Sequence, residues 1–161
     1  MVIRKATLAD LDLLTAVEAE CFPKAEAATR DEFQDRLHHY ANHFLLMFDE
    51  ECLVSFIDGF VTDERDLTDE MYARADLHNE NGSWQMIFGV NTVPSYRRKG
   101  FAARLITEFI HDAKRQGRRG VVLTCKDDKV NYYSGFGFKN EGRSDKSSHG
   151  DVAWNQMRLT F

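Results

Sequence analysis

The residues best placed to do chemistry lie in one run, Val93-Pro94-Ser95-Tyr96-Arg97-Arg98-Lys99-Gly100-Phe101-Ala102-Ala103, where an apolar β-like segment gives way to a helical one. The spacing inside it is Arg97-x-x-Gly100-x-Ala102. The start of a helix leaves its first backbone N–H groups without intrahelical acceptors and carries the positive end of the helix dipole, so it attracts anions. Gly100 and Ala102 leave the approach clear, because a larger side chain would hold a phosphate oxygen off the backbone. Arg97, Arg98 and Lys99 add positive charge. Read this way, the loop is a pyrophosphate cradle. A strand-to-helix turn with a glycine and solvated basic residues has the same composition, and so short a pattern also arises by chance. The run is not a P-loop, which needs GxxxxGK(S/T), nor the dinucleotide fingerprint, which needs GxGxxG and an acidic residue one strand later.

The elements that position this loop follow from periodicity. Val2-Ile3-Arg4 reads as a short strand, and Thr7 to Asp10 can cap a helix whose apolar stripe is Leu11, Leu14, Val17 and Cys21 and which Pro23 ends. Thr29-Arg30-Asp31-Glu32 is a second capping box, opening a helix through Phe33 and Leu37. Residues 43–48 and 52–61 are β-like runs around Asp49-Glu50-Glu51, a spacing that predicts a hairpin. Residues 62–83 form a long polar excursion with a short helix near 69–73. Residues 84–93 are predicted as one long strand, which Pro94 stops. A helix follows from about Gly100 to Gln116, with Gly117 as terminator, and Val121 to Cys125 is a nearly all-apolar strand. That βαβ order requires a parallel pair. A short helix near 130–134 and strands near 138–141 and 152–159 complete the chain.

The loop resembles motif A of the GNAT acetyltransferases, whose pattern Arg/Gln-x-x-Gly-x-Gly/Ala is matched by Arg97, Gly100 and Ala102. The segment from Leu123 to Phe138, ending Tyr133-Ser134-Gly135-Phe136-Gly137-Phe138, resembles the family's motif B, and the order of elements agrees along the chain. Cys21-Phe22-Pro23 with Glu26-Ala27-Ala28 makes the sequence most similar to the arylalkylamine N-acetyltransferase branch. The resemblance implies an α+β fold in α/β/α layers: a mixed, mostly antiparallel sheet of about six to seven strands, a central splayed parallel pair and about four helices. It also implies acetyl-CoA as cosubstrate and no metal. Backbone groups of Val90, Asn91 and Thr92 would pair with the pantetheine arm, Asn131 would sit near it, and Arg97, Arg98, Lys99, Gly100, Phe101, Ala102 and Ala103 would hold the pyrophosphate. In such folds the arm inserts between the splayed strands like an extra strand. A bulge at Phe88-Gly89-Val90 would then aim the Val90 N–H at the oxyanion of the tetrahedral intermediate.

An alkylammonium, with a pKa of about 10, must lose a proton before it attacks. The resemblance gives that proton to Glu26, whose alternative role is a solvated loop or capping carboxylate. Tyr133 matches the family tyrosine beside the departing sulfur, and its alternative is a core aromatic beside Tyr132, Phe136 and Phe138. A phenol of pKa about 10 is a poorer acid than a thiol of about 8.5, so a hydrogen bond to the thiolate suffices. The paired histidines of the vertebrate arylalkylamine enzymes are replaced here by Met86 and Phe88, so their proton route does not carry over. Met86 and Phe88 read as pocket wall or core. His38, His39 and His43 lack metal-ligand spacing and read as surface residues, while His78 is a candidate auxiliary base.

With 161 residues, 43% hydrophobic and 29% charged, the sequence predicts one globular domain over residues 1–161. A net charge of −5 disfavours nucleic acid as a partner and suits a cationic acceptor, although a mildly acidic surface also serves solubility. No apolar run suits a signal peptide or a membrane span, so a cytoplasmic protein without a membrane partner is expected. Cys21, Cys52 and Cys125 form no CxxC pattern and suggest neither a disulfide framework nor a zinc site. The expected activity is direct acetyl transfer from acetyl-CoA to a primary amine, an arylalkylamine or polyamine, with a homodimer as one assembly the sequence allows. The alternatives are a protein or peptide N-acetyltransferase and a non-catalytic acyl-CoA-binding sensor.

Overall fold

Alternation along one strand accounts for the layering. In β2 (Phe44–Asp49), Phe44, Leu46 and Phe48 enter one hydrophobic core, whereas Leu45 and Met47 enter a second core on the opposite face. Helices α1 (Leu11–Cys21) and α2 (Arg30–Tyr40) cover the first core with Leu11, Leu14, Val17, Phe33, Leu37 and Tyr40. Helix α4 (Phe101–Arg115) covers the second with Leu105, Ile106, Phe109 and Ala113, the spacing of one helical face. The computed structural model describes residues 1–148 and 150–161 in full and His149 by its backbone.

Capping sets where the first helices begin. The Thr29 N–H donates to the Glu32 carboxylate at 2.9 Å and the Glu32 N–H donates to Thr29 Oγ1 at 3.2 Å, the reciprocal box expected there. Upstream, the Thr7 N–H donates to Asp10 at 2.8 Å, and Arg4 of β1 (Val2–Arg4) grips the same carboxylate through two bonds of 2.7 and 2.8 Å.

The remaining elements are β3 (Cys52–Asp58), β4 (Val61–Thr62), α3 (Asp69–Ala73), β5 (Trp84–Ile87), β6 (Gly89–Thr92), β7 (Gly120–Cys125), α5 (Val130–Ser134), β8 (Lys139–Arg143) and β9 (Asn155–Thr160). The strands form two sheets, ordered β1-β2-β3-β6 and β4-β5-β7-β9-β8. Every pairing is antiparallel except β5 with β7, the parallel pair that the βαβ order requires. The α+β layering is as expected, with more pieces: nine strands in two sheets and five α-helices among the described residues.

The chief departure is at Phe88. The long strand expected over residues 84–93 breaks there, because its first half pairs with β7 and its second half with β3. The Phe88 N–H donates to the Asp58 carbonyl at 2.8 Å although Asp58 is registered opposite Gly89, so two residues oppose one as in a bulge. β5 and β7 therefore run together only from Trp84/Gly120 to Ile87/Leu123, and beyond that point the chains diverge. The gap between β6 and β7 is the feature that positions the site. Among the described residues, no helix is long and apolar enough to cross a membrane.

Candidate active site

The basic loop is shaped by two left-handed residues, Arg98 at φ 64° and Gly100 at φ 82°. For a non-glycine residue that conformation costs roughly 1–2 kcal/mol, and glycine adopts it freely. A Cβ on Gly100 would meet nothing within 4 Å, so the position requires glycine for its backbone angle and not for room. The Arg104 N–H donates to the Gly100 carbonyl at 3.1 Å, which leaves the N–H groups of Phe101, Ala102 and Ala103 without acceptors inside the helix. These N–H groups border a groove of about 640 Å³ lined by Val90, Thr92, Arg97, Arg98, Gly100, Phe101, Ala102, Ala103 and Tyr133. Arg97 turns back instead of outward, its Nε donating to the Thr92 carbonyl at 2.9 Å. Lys99 lies over the Tyr96 ring, 5.3 Å from its centroid, and outside the groove lining. Asn131 is on the exposed side of α5, also outside it.

β6 presents alternate backbone groups to this groove. The Val93 N–H donates to the Val54 carbonyl at 2.9 Å, and antiparallel pairing alternates bonded with unbonded positions. Asn91 opposite Phe56 is therefore bonded, while Val90 and Thr92 turn their N–H and C=O groups away from β3 toward the gap. The Asn91 side chain points the other way and is fully buried.

A second cleft, of about 300 Å³, meets the groove at Cys21, Phe22, Val90, Lys129 and Tyr133. Phe22, Tyr72, Phe88, Tyr133 and Trp154 supply its aromatic wall, and Glu18, Glu26, Glu32, Arg36, Lys126, Asp128 and Lys129 its charges. Of the two residues replacing the paired histidines, Met86 is core and Phe88 is wall. Glu26 is buried and ion-paired with Lys126 Nζ at 2.9 Å. Tyr133 stands at the junction, its ring edge-on to Tyr132 and Phe138. Burial, reinforced by Tyr132 and Cys125, raises the Tyr133 hydroxyl well above the ordinary phenol range, so it keeps its proton.

The structure also brings in residues that the sequence reading passed over. Glu18 of α1 is buried, its Oε2 accepting the Ala28 N–H at 2.9 Å. Burial first, then the nearby Asp58 charge, push its carboxyl up to about 7. Arg36 of α2 donates to Asp58 Oδ2 and to the Tyr72 carbonyl, each at 2.9 Å. A signal existed: Glu18 follows Leu14 by four residues on the buried stripe, Arg36 lies between Phe33 and Tyr40, and Asp58 closes an apolar strand.

The histidines regroup. His38 and His39 are exposed as expected, but His43 is 2% exposed and packs 5.2 Å from the His78 ring. The Glu80 carboxylate reaches His43 Nε2 at 2.9 Å and His78 Nε2 at 3.0 Å, and Gln85 reaches His43 Nδ1 at 3.0 Å. Sequence proximity misled here because the pairing crosses from the end of α2 to the excursion before β5. Among the described residues, His43, His78 and Glu80 are the group of metal-ligand type side chains drawn together, with their ligand atoms within 4.8 Å. They line neither cleft, so the structure does not bring His78 together with the other candidate site residues.

The model of the acetyltransferase (GNAT) family matches residues 11–138. Serotonin N-acetyltransferase of Mesocricetus auratus is 31% identical over 96 residues, which cover 59% of this chain and 45% of that protein. The chain thus spans under half the length of that curated relative. Among solved structures, the loading GNATL domain of CurA from Lyngbya majuscula superposes with a TM-score of 0.84 at 17% identity, covering 99% of this chain and 96% of the other. The GphF GNAT-like decarboxylase in complex with isobutyryl-CoA gives 0.83 at 20% identity, covering 99% of each chain.

Proposed function

This chain belongs to the GNAT acetyltransferase family, and on that premise we propose that residues 1–161 act as one catalytic domain that moves acetyl from acetyl-CoA to the primary amine of a small arylalkylamine. The observation that carries this reading is the junction at Val90 and Tyr133, where a groove with free helix N–H groups meets an aromatic cleft bearing carboxylates. Arg98 and the N–H groups of Phe101 to Ala103 suit a diphosphate, and the outward edges of Val90 and Thr92 suit the amide-bearing pantetheine arm. Acetyl-CoA supplies an activated thioester. The Val90 N–H stabilises the oxyanion as the amine adds, and Tyr133, still protonated, donates a hydrogen bond to the sulfur as it leaves. A carboxylate of the second cleft takes the ammonium proton, and Glu26 is one such group on its wall.

The aromatic wall and the volume of about 300 Å³ support an arylalkylamine over a polyamine or a protein chain end. The likeness to serotonin N-acetyltransferase supports the same class. The test is CoA formation from acetyl-CoA with the purified chain and a panel of tryptamine, phenethylamine, spermidine and a peptide α-amine. Turnover that favours the aryl amines is expected. Turnover with the peptide alone reassigns the acceptor, and CoA binding without turnover on any amine favours a sensor.

A further inference from the structure

Three polar side chains from three different elements converge beside Gly89, Glu18 of α1, Asp58 of β3 and Asn91 of β6, and a fourth, Arg36 of α2, bonds to Asp58 behind them. Their exposures are 6%, 0%, 0% and 3%. Burying a polar group is tolerated when it is paired, yet Asp58 Oδ1, Arg36 Nε and Asn91 Oδ1 have no hydrogen-bond partner, and Glu18 Oε1 has only the loosely placed Asn91 amide nearby. Asn91 Nδ2, Asp58 Oδ1 and Glu18 Oε1 lie 3.3, 3.4 and 3.5 Å from the point where a Cβ on Gly89 would stand. That point adjoins Val90, and both Gly89 and Glu18 line the acceptor cleft. A side chain at residue 89 would fill the space on which these donors and acceptors are trained.

We infer that Glu18, and not Glu26, accepts the proton of the incoming ammonium, with Asp58 and Asn91 ordering the transfer path across Gly89. This rests on the acetyl-transfer reading above. Arg36 neutralises Asp58 through the 2.9 Å contact, which leaves Glu18 as the additional carboxylate of the cluster. Glu26 is instead held by Lys126, and protonating it breaks that ion pair. One proton moves from the ammonium nitrogen to Glu18 Oε1. The freed lone pair forms the C–N bond, the C–S bond breaks with its electrons on sulfur, and the second nitrogen proton ends on the thiolate. Glu18 releases its proton to solvent as product departs, so one proton leaves with CoA and one with water. The groups facing Glu18 are Asp58, Arg36, Asn91 and, on its own helix, Cys21. Burial first, then the Asp58 charge, raise its carboxyl, while the Ala28 N–H, Arg36 and Asn91 pull it back, and the balance stands at about 7, close to the working pH of an effective base.

The test is the pH profile of kcat/KM for the purified chain, with arylalkylamines of graded amine pKa as acceptors. Wild type is expected to lose activity below a limb near 7. Glu18→Gln is expected to lose that limb and about 10²-fold in kcat, with the deficit shrinking for weakly basic amines that arrive already neutral. Glu18→Asp recovers part of the rate, Gly89→Ala lowers turnover while CoA still binds, and Glu26→Gln keeps the limb near 7. A Glu18→Gln enzyme within about 3-fold of wild type on every acceptor overturns the assignment and leaves acetyl transfer standing. If that variant does not fold, a wild-type limb that follows only the acceptor's own pKa overturns it equally. A wild-type chain inert toward every primary amine sinks the acetyl-transfer reading itself.

Discussion

Burial raises both Tyr133 and Glu18, and the consequences differ because the two groups start on opposite sides of neutrality. The phenol stays a donor at any working pH, whereas the carboxyl is brought to where it can exchange a proton. Tyr133→Phe should therefore retain CoA affinity in calorimetry and lose roughly 10²-fold in kcat, the low end of what a positioned proton donor contributes. Glu18 also links stability to pH. Its folded value of about 7 exceeds the ordinary carboxylate value, so the native state binds more protons between those two limits and stability falls as pH rises through that window. Glu18→Gln, which stays neutral, should melt higher than wild type at pH 8 and show little difference near pH 4.5. Tyr133 was legible because it sits in a recognisable sequence run. Glu18 was not, because glutamate on an amphipathic helix is ordinarily solvated and only its phase on the buried stripe marks it.

At the scale of elements, the start of α4 and the break between β5 and β6 matter most. Gly100→Val forces a branched side chain into a left-handed position, at roughly 1–2 kcal/mol, and should weaken CoA binding measured by calorimetry while the far-ultraviolet circular dichroism is kept. The helix start was readable from residue types, since a glycine ahead of an apolar stripe marks where the helix begins, although an ordinary strand-to-helix turn shares that composition. The role of Arg97 was not, because which way a long side chain turns depends on what stands nearby, and here the Thr92 carbonyl captures it. The strand break was half legible: Gly89 marked a bulge, but the exchange of partners from β7 to β3 is a property of the sheets and not of local propensity. Caps act locally and were read well. Thr29→Ala should cost about 1 kcal/mol, seen as a fall of a few degrees in Tm.

The whole molecule places two clefts end to end, with Val90 and Tyr133 at their meeting point. The polar excursion before β5 is tied down on another side, where Glu80 accepts from Arg118 at 3.1 Å and contacts His43 and His78. Glu80→Ala should lower stability by about 1–3 kcal/mol in urea denaturation and leave CoA affinity unaltered, because none of these residues borders the groove. The amino-acid sequence by itself determined the order of elements, the parallel pair and the glycine at the start of α4, since periodicity, capping and glycine placement act over a few residues, and the layering followed from the resemblance of its motifs to a known family. Only the tertiary structure decided which carboxylates share the second cleft, that His43 joins His78 instead of its sequence neighbours, and that Glu18, Asp58 and Asn91 converge on Gly89 with Arg36 bonded to Asp58. Those contacts join residues tens of positions apart, and desolvation, which sets their chemistry, exists only once the chain has closed around them.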